Sequence, residues 1–365
     1  MLGHKRIPSR EGGAEVVVEE LATRMTALGH QVTCFNRKKK NSKKEAGSFK
    51  GIRLRYVWTI DWKGFAALSA SVTASVLTLF GRYDVIHYHA EGPCIMLWLP
   101  KLFGKRCIAT IHGLDHQRAK WGKMARRCIL LGEWVAVKFA DEIIVLSRNV
   151  QNYFLETYGR KTIFIPNGVS SIPIRPLDLI QKKYQLKKDG YILYLGRLVP
   201  EKGIQYLIRA YQKLDTDKKL VIAGESSDTD EFVCELKRLA EGNPNIIFTG
   251  FVEGALLDEL YSNAYLYVLP SDLEGMPLSL LEAMSAGNCC VVSDIEECTA
   301  VTEDHAVVFK RGDTEDLREK LQILCKRPEL VRRYKETAAD FICRKYHWND
   351  IVERTLDVYS GRIRS

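Results

Sequence analysis

The chain has 365 residues, 27% of them charged, and a formal net charge of +9; this length exceeds what one hydrophobic core sustains and implies two domains of ordinary size. Ten scattered cysteines without a CxxC pair exclude a disulfide framework and fit the reduced thiols of a cytosolic protein. The positive excess comes with no DNA- or RNA-binding motif, which sets nucleic acid aside as a partner.

Strand and helix patterns alternate along the whole chain, the signature of parallel sheets covered by helices on both faces. Only Met1-Leu-Gly-His4 precedes Lys5, leaving a very short first strand or a truncated start as the two readings. After the turn Arg10-Glu-Gly-Gly13, the residues Val17, Val18, Leu21, Met25 and Leu28 recur at helical spacing and predict a core-facing stripe. Strands are expected at 31–35, 52–57, 85–88, 108–111, 142–146 and 162–165. The run 65–80 is the nearest approach to a membrane helix, and it is too short and too rich in Ser and Thr to span. A linker at 170–176 leads to a second domain, with strands beginning at Tyr191, Leu220, Ile246, Leu266, Cys289 and Ala306. A last helix, 347–359, carries Ile351, Val352, Leu356 and Tyr359 on one face. The predicted domains are 1–168 and 177–346, followed by a C-terminal segment, 347–365.

Two loops carry the chemistry. In Glu274-Gly-Met-Pro-Leu-Ser-Leu-Leu-Glu282, two carboxylates are separated by seven residues across a loop-to-helix junction. Pro277 suits a helix start, where a missing N–H costs nothing. The backbone N–H groups of the segment from Met276 to Leu280, those of Leu278 and Ser279 among them and Pro277 excepted, then face an anion such as a diphosphate. A carboxylate grips neighbouring sugar hydroxyls, so a pair flanking a phosphate cradle suits a sugar nucleotide; a capped helix with a solvated glutamate is the plain alternative. The second loop, Gly196-Arg-Leu-Val-Pro-Glu-Lys-Gly203, follows a buried strand and precedes a helix expected at 204–214. Here Arg197 can fork onto phosphate oxygens and Lys202 adds a mobile point charge.

Charge divides unevenly. Residues 1–170 hold 27 Lys+Arg against 13 Asp+Glu, a balance of +14, and the remainder holds 27 against 32, a balance of −5. The cations concentrate in Lys38 to Lys40, in Lys43 and Lys44, and in Arg118, Lys120, Lys123, Arg126 and Arg127, the last group interleaved with Trp121, Met124 and Trp134. Such a run suits an anionic membrane surface; a solvated loop and a core-packing helix are the alternatives. His87 and His89 share one face of a strand end, but no carboxylate or cysteine stands at ligand spacing, and no metal is expected there.

These motifs together resemble the family-4 retaining glycosyltransferases with two Rossmann domains, the GT-B architecture. The resemblance runs through Arg10 to Gly13, Thr110-Ile-His112-Gly113, Ile165-Pro-Asn167-Gly168, the 196–203 loop, Thr249-Gly-Phe-Val252 and the 274–287 segment. It implies two Rossmann-like domains facing across a cleft, the first acceptor-side, the second nucleotide-sugar-binding, with the last helix returning to the first. It also implies a metal-independent hexosyltransferase with no cofactor. Donor contacts would come from Gly12, Gly13, Asn167, Gly196, Arg197 and Lys202, from the backbone of Gly250, Phe251 and Val252 at the base, from Glu274 at the donor sugar and from Glu282 at the ribose. His112 would face the donor sugar, making His112, Arg197, Lys202 and Glu274 the expected catalytic set. Glu91, Asp115 and His116 are acceptor-side candidates. The opening segment and His87-Tyr-His-Ala-Glu-Gly-Pro93 are similar to a bacterial capsule and cell-wall rhamnosyltransferase subgroup. That implies a rhamnosyl donor, a saccharide or lipid-linked acceptor and a cytoplasmic enzyme peripheral on the inner membrane face. A nucleotide-sugar epimerase of the same architecture and an inactive saccharide-binding relative remain open alternatives.

Overall fold

Parallel strands buried on both faces read as continuous apolar runs, and the computed structural model puts those runs at the centre of two sheets. It describes residues 1–38, 46–60, 65–118, 121–227 and 229–365. The chain divides into two units, Met1–Gly168 with Trp348–Ser365, and Val169–His347.

In unit 1, β1 (Thr33–Arg37), β2 (Ala46–Phe49) and β3 (Ile52–Val57) form a sheet ordered β1-β3-β2, with β1 parallel and β2 antiparallel to β3. A second, parallel sheet runs β4 (Val85–His89), β5 (Arg106–Ile111), β6 (Glu142–Val145) and β7 (Ile163–Phe164). Ahead of β1, Leu2 makes an isolated parallel bridge to Tyr88. Leu2 donates its N–H to His87 O at 3.0 Å and accepts from His89 N–H at 2.9 Å, while Met1 O accepts from Phe35 N–H at 3.0 Å. The buried Leu2 thus stands between β1 and β4. The strand β2 went unforeseen because its residues Ala46–Phe49 are exposed and carry no apolar alternation.

The helix α1 (Gly13–Ala27) buries Val17, Val18, Leu21 and Met25. Leu28, expected in the same stripe, lies past the helix end and is exposed, because the chain turns away at Gly29. Next come α2 (Phe65–Leu79), α3 (Trp98–Leu102), α4 (Lys123–Phe139) and α5 (Arg148–Tyr158). The C-terminal helix, Trp348–Ser360, belongs to this unit and buries Trp348, Ile351, Val352 and Val358. Gly168 makes room for it, since a Cβ there would fall 2.4 Å from the Trp348 ring.

Unit 2 is a six-stranded parallel sheet, ordered β10-β9-β8-β11-β12-β13. Its strands are β8 (Tyr191–Leu195), β9 (Lys219–Ala223), β10 (Ile246–Gly250), β11 (Leu266–Leu269), β12 (Cys290–Ser293) and β13 (Val307–Phe309). Its helices are α6 (Leu179–Tyr184), α7 (Ile204–Gln212), α8 (Asp230–Leu239), α9 (Gly254–Asn263), α10 (Leu278–Ser285), α11 (Glu296–Thr302), α12 (Thr314–Lys326) and α13 (Pro328–Lys345). Strand order reverses between β8 and β11. Open parallel sheets bind ligands at such a switch point, beyond the carboxyl ends of the strands, and the 196–203 and 274–282 segments both emerge there.

Candidate active site

The loop after β8 and the loop after β11 are tied by one ion pair. Lys202 Nζ lies 2.5 Å from Glu274 Oε1, and the same oxygen accepts from Ser271 Oγ at 2.7 Å. Both side chains are largely buried, 11% and 7% exposed. Lys202 is therefore a fixed charge rather than the mobile one expected of a surface lysine. Its position follows from a 3-10 turn, Pro200–Lys202, that ends at Gly203 before α7. The backbone around this loop is tightly packed. Gly224, at φ +142°, follows β9, and a Cβ on it would fall 1.8 Å from Gly196 O; only glycine allows the two loops so close.

The helix after β11 starts one residue later than the proline rule predicts. Pro277 caps it in extended conformation and α10 begins at Leu278. The N–H groups of Leu280 and Leu281 turn back to Pro277 O, at 3.1 and 3.3 Å. That leaves the amides of Leu278 and Ser279 at the helix end, where the dipole favours an anion.

Three buried tyrosines support this site, and the sequence reading missed them. Tyr194 donates to Arg197 O at 2.9 Å, Tyr267 to Ser279 Oγ at 2.9 Å and Leu195 O at 3.2 Å, and Tyr261 to Glu282 Oε2 and Ser279 O, both at 3.2 Å. Burial pushes all three phenols well above their ordinary range, so they remain donors. The sequence offered a signal for two of them, Tyr194 in the otherwise aliphatic run 191–195 and Tyr267 in 266–269, and none for Tyr261, which lies on α9. A buried hydroxyl needs a partner.

At the end of β10, Gly250 turns at φ +72° and its carbonyl accepts from Gly224 N–H at 2.9 Å. Phe251 beside it is 40% exposed and Val252 is buried. The donor-side candidates of unit 2, namely Gly196, Arg197, Lys202, Gly250 to Val252, Glu274 and Met276 to Glu282, stand at the end of β10, on loops following β8, β10 and β11, or on the first turns of α10.

Unit 1 gathers histidines at the corresponding ends of its strands. His87 Nδ1 meets the Tyr359 hydroxyl at 2.6 Å and its Nε2 meets Thr110 Oγ1 at 2.7 Å. With both ring nitrogens engaged, it is a satisfied core histidine. His89 Nδ1 lies 3.1 Å from His112 Nε2, and His4 Nε2 lies 3.0 Å from Asn36 Oδ1. Burial holds all four rings neutral, His4 and His112 at about 4 and the other two well below the ordinary 6.5. Gly12 caps α1 and Gly13 opens it. The buried Glu15 of the same turn accepts from Lys5 N–H at 2.8 Å. Asn167 is buried at the end of the unit's long segment.

The acceptor-side candidates cluster at depth rather than at the surface. Glu91 is wholly buried, and its Oε2 accepts from Asp115 N–H at 2.9 Å. His116 faces both Glu91 and Glu133, a helix residue that sequence reasoning did not single out. Asp115 pairs with Arg118 at 3.0 Å. Only Lys123, Arg126 and Arg127 of the basic run lie on α4, since Arg118 follows the 3-10 turn and Trp121 precedes the helix; α4 is two-sided, with Ile129, Gly132, Glu133 and Val135 to Val137 buried and Lys123, Met124, Arg126, Arg127, Leu130, Leu131 and Trp134 exposed. Lys39, Lys40, Lys43, Lys44 and Lys120 lie outside the described residues. Among the described residues, no helix is long and apolar enough to cross a membrane.

Comparison with known proteins agrees with this arrangement. Residues 11–171 match the family "Glycosyltransferase Family 4", and residues 178–341 match "Glycosyl transferases group 1". An uncharacterised glycosyltransferase of Methanocaldococcus jannaschii is 33% identical over 330 residues, covering 82% of this chain and 80% of its own. The UDP-Gal:alpha-D-GlcNAc-diphosphoundecaprenol alpha-1,3-galactosyltransferase of Escherichia coli is 29% identical over 255 residues, 64% of each chain. Among solved structures, sucrose-phosphate synthase from Thermosynechococcus elongatus superposes with a TM-score of 0.81 at 22% identity, over 96% of this chain and 93% of that one. That likeness gives the fold, two Rossmann-like domains of GT-B type.

Proposed function

Starting from a chain that belongs to the family-4, group-1 glycosyltransferases, we propose that it transfers a sugar, with retention, from a nucleoside-diphosphate sugar to a saccharide on a lipid carrier. The observation that carries this reading is the Lys202–Glu274 pair set beside Arg197 and the open end of α10. Breaking a sugar–phosphate bond places negative charge on the departing diphosphate. Arg197, Lys202 and the amides of Leu278 and Ser279 are donors fixed in advance where that charge grows, and removing one such donor commonly costs about 10²–10³ in rate. Glu274, neutralised on one oxygen by Lys202 and Ser271, grips hydroxyls of the donor sugar. Glu282, steadied by Tyr261, takes the ribose, and the 250–252 backbone takes the base. His112, neutral at physiological pH, meets the sugar as a hydrogen-bonding group without adding charge. Front-face attack, with the diphosphate oxygen accepting the acceptor's proton, accounts for retention without an enzymic nucleophile.

Rhamnose is the donor sugar we propose, from the likeness of the opening and 87–93 segments to the rhamnosyltransferase subgroup. A lipid-linked acceptor is favoured by the exposed face of α4, where cations alternate with Met124, Leu130, Leu131 and Trp134. This is the composition of a helix lying in an anionic interface. It is also consistent with the diphosphoundecaprenol substrate in the name of the E. coli relative. The test is incubation with a panel of sugar nucleotides, with and without a lipid-linked saccharide. Free nucleoside diphosphate that appears only with acceptor, greatest with the rhamnosyl donor, is the expected result. An interconverted sugar nucleotide would make the protein an epimerase, and no turnover with any donor would leave it a binding protein.

A further inference from the structure

Three side chains from separate segments of unit 1 converge beneath the 3-10 turn Asp115–Gln117: Glu91 from the turn after β4, His116 from that 3-10 turn and Glu133 from the middle of α4. Glu91 and Glu133 are fully buried and His116 is 16% exposed at its side chain. Each carboxylate spends one oxygen on neighbours. Glu91 Oε2 accepts from Asp115 N–H, and Glu133 Oε1 accepts from the hydroxyls of Tyr153, at 2.8 Å, and Tyr158. The other oxygens, Glu91 Oε1 and Glu133 Oε2, have no hydrogen-bond partner, and neither does His116 Nδ1. Those three atoms face one another. His116 Nδ1 is 3.8 Å from Glu91 Oε1 and 3.5 Å from Glu133 Oε2, and all three lie within 4.8 Å of each other.

These separations are long for hydrogen bonds and right for a shared ion. Ligands about 2.1 Å from a tetrahedral metal stand roughly 3.4 Å apart. Leaving three buried polar atoms unsatisfied is costly, whereas a cation at their centre satisfies all of them. The oxygens turned away from the centre are already held by donors, as second-shell partners hold ligating carboxylates in metal sites. The backbone is built for this approach as well. A Cβ at Gly132 would fall 2.2 Å from Glu91 O, so the glycine next to Glu133 is what lets α4 come close enough to bring the two carboxylates together.

We infer that Glu91, His116 and Glu133 form a binding site for a divalent first-row cation, zinc in the first instance, with one imidazole nitrogen and two carboxylate oxygens as ligands. One nitrogen with two oxygens suits zinc or manganese better than calcium, which prefers six or more oxygens. The site is built from unit 1 residues alone and goes beyond the proposed transfer reaction. Its role is to tie the turn after β4, the 115–117 turn and α4 into one body.

The test uses untagged full-length protein, stripped with chelator and titrated calorimetrically with zinc, then with cobalt as a spectroscopic probe. One zinc per chain, a rise in Tm on binding, and a cobalt visible spectrum without the thiolate charge-transfer band are expected. His116→Gln and Glu133→Gln should each weaken binding by more than about 100-fold, and Tyr158→Phe, which removes a supporting donor, by about tenfold. His116, the least buried of the three, keeps the test usable if Glu133→Gln fails to fold. If the stripped parent takes up no stoichiometric ion, the cluster is a proton-bridged imidazolium between carboxylates. If His116→Gln binds as the parent does, the ion sits elsewhere; either result overturns the proposal.

Discussion

The two units bring polar groups to the same place, the carboxyl ends of parallel strands, by opposite means. Unit 1 uses imidazoles: His87, His89 and His112 stack in succession and His4 bonds Asn36, and burial keeps all four neutral. Unit 2 uses phenols: Tyr194, Tyr261 and Tyr267 hold the loop carbonyls and Glu282, and burial only moves them further from titration. One end is thus a proton-sensitive structure and the other is indifferent to pH across the physiological range. A basic balance of +14 and an exposed cationic helix accompany the first, a balance of −5 the second. The contrast separates a half whose buried polar groups take up protons on acidification from a half whose buried polar groups do not.

The largest expected effects fall on the proposed diphosphate site. Arg197→Ala should lower turnover about 10²–10³-fold with unchanged thermal unfolding. Lys202→Ala should do the same and also destabilise by about 3–5 kcal/mol, because it strands the buried Glu274 carboxylate. Steady-state kinetics alongside calorimetric Tm distinguishes the two; a Lys202→Ala protein as stable as the parent would show that the ion pair does not anchor the loops.

Acid should separate the units next. A histidine whose folded pKa is depressed from 6.5 to about 4, as for His4 and His112, favours folding in full above about pH 6.5. That contribution is lost as pH falls toward 4, since the unfolded chain takes up protons that the folded unit refuses. Each such ring is worth up to about 3 kcal/mol. Hydrogen exchange corrected for intrinsic rates should show β4 and β5 losing protection between pH 6.5 and 4 while β8 and β11 keep theirs. Simultaneous loss would erase the contrast.

The exposed face of α4 gives a third test. Neutralising Lys123, Arg126 and Arg127 together should weaken binding to anionic vesicles by roughly 100-fold, at about 1 kcal/mol per cation. Donor hydrolysis should be unaffected. Binding should also fall with salt, since screening acts within about 8 Å at physiological ionic strength; co-sedimentation equal to that of the parent would assign the face to another role. The smallest effect is expected from Tyr261→Phe, which removes a donor to Glu282 and should weaken nucleotide binding about tenfold, the scale of a hydrogen bond to a charged group.

Much of this architecture is legible in the residues. Apolar runs of four or five residues, such as Tyr191–Leu195 and Leu266–Leu269, mark strands covered on both faces, and the glycines and prolines between them mark the loops. Glu274, Lys202 and Arg197 can be found because their loops sit between a strand and a helix. What cannot be read is contact across sequence. Nothing local tells that Lys202 closes on Glu274, that Tyr261 serves Glu282, or that Glu133 completes a cluster with Glu91 and His116, because each depends on strand order and on close approaches such as Gly132 and Gly224. Leu28 misled for a related reason: helical spacing continues past the point where the helix itself stops.

One feature of the chain path bears on how the protein is made. Residues 348–365 belong to the unit formed by the first 168, so the second unit is an insertion within the first, entered at Val169 and left at His347, where Val169 N–H meets Tyr346 O at 2.8 Å. During synthesis the inserted unit is whole once His347 has left the ribosome. The outer unit still lacks the helix that supplies Tyr359 to His87 and a carbonyl to Arg106. Domains fold as units while the chain emerges, so the later-emerging unit is the first able to finish. The basic half completes its core only when its last helix, Trp348–Ser360, is free of the ribosome.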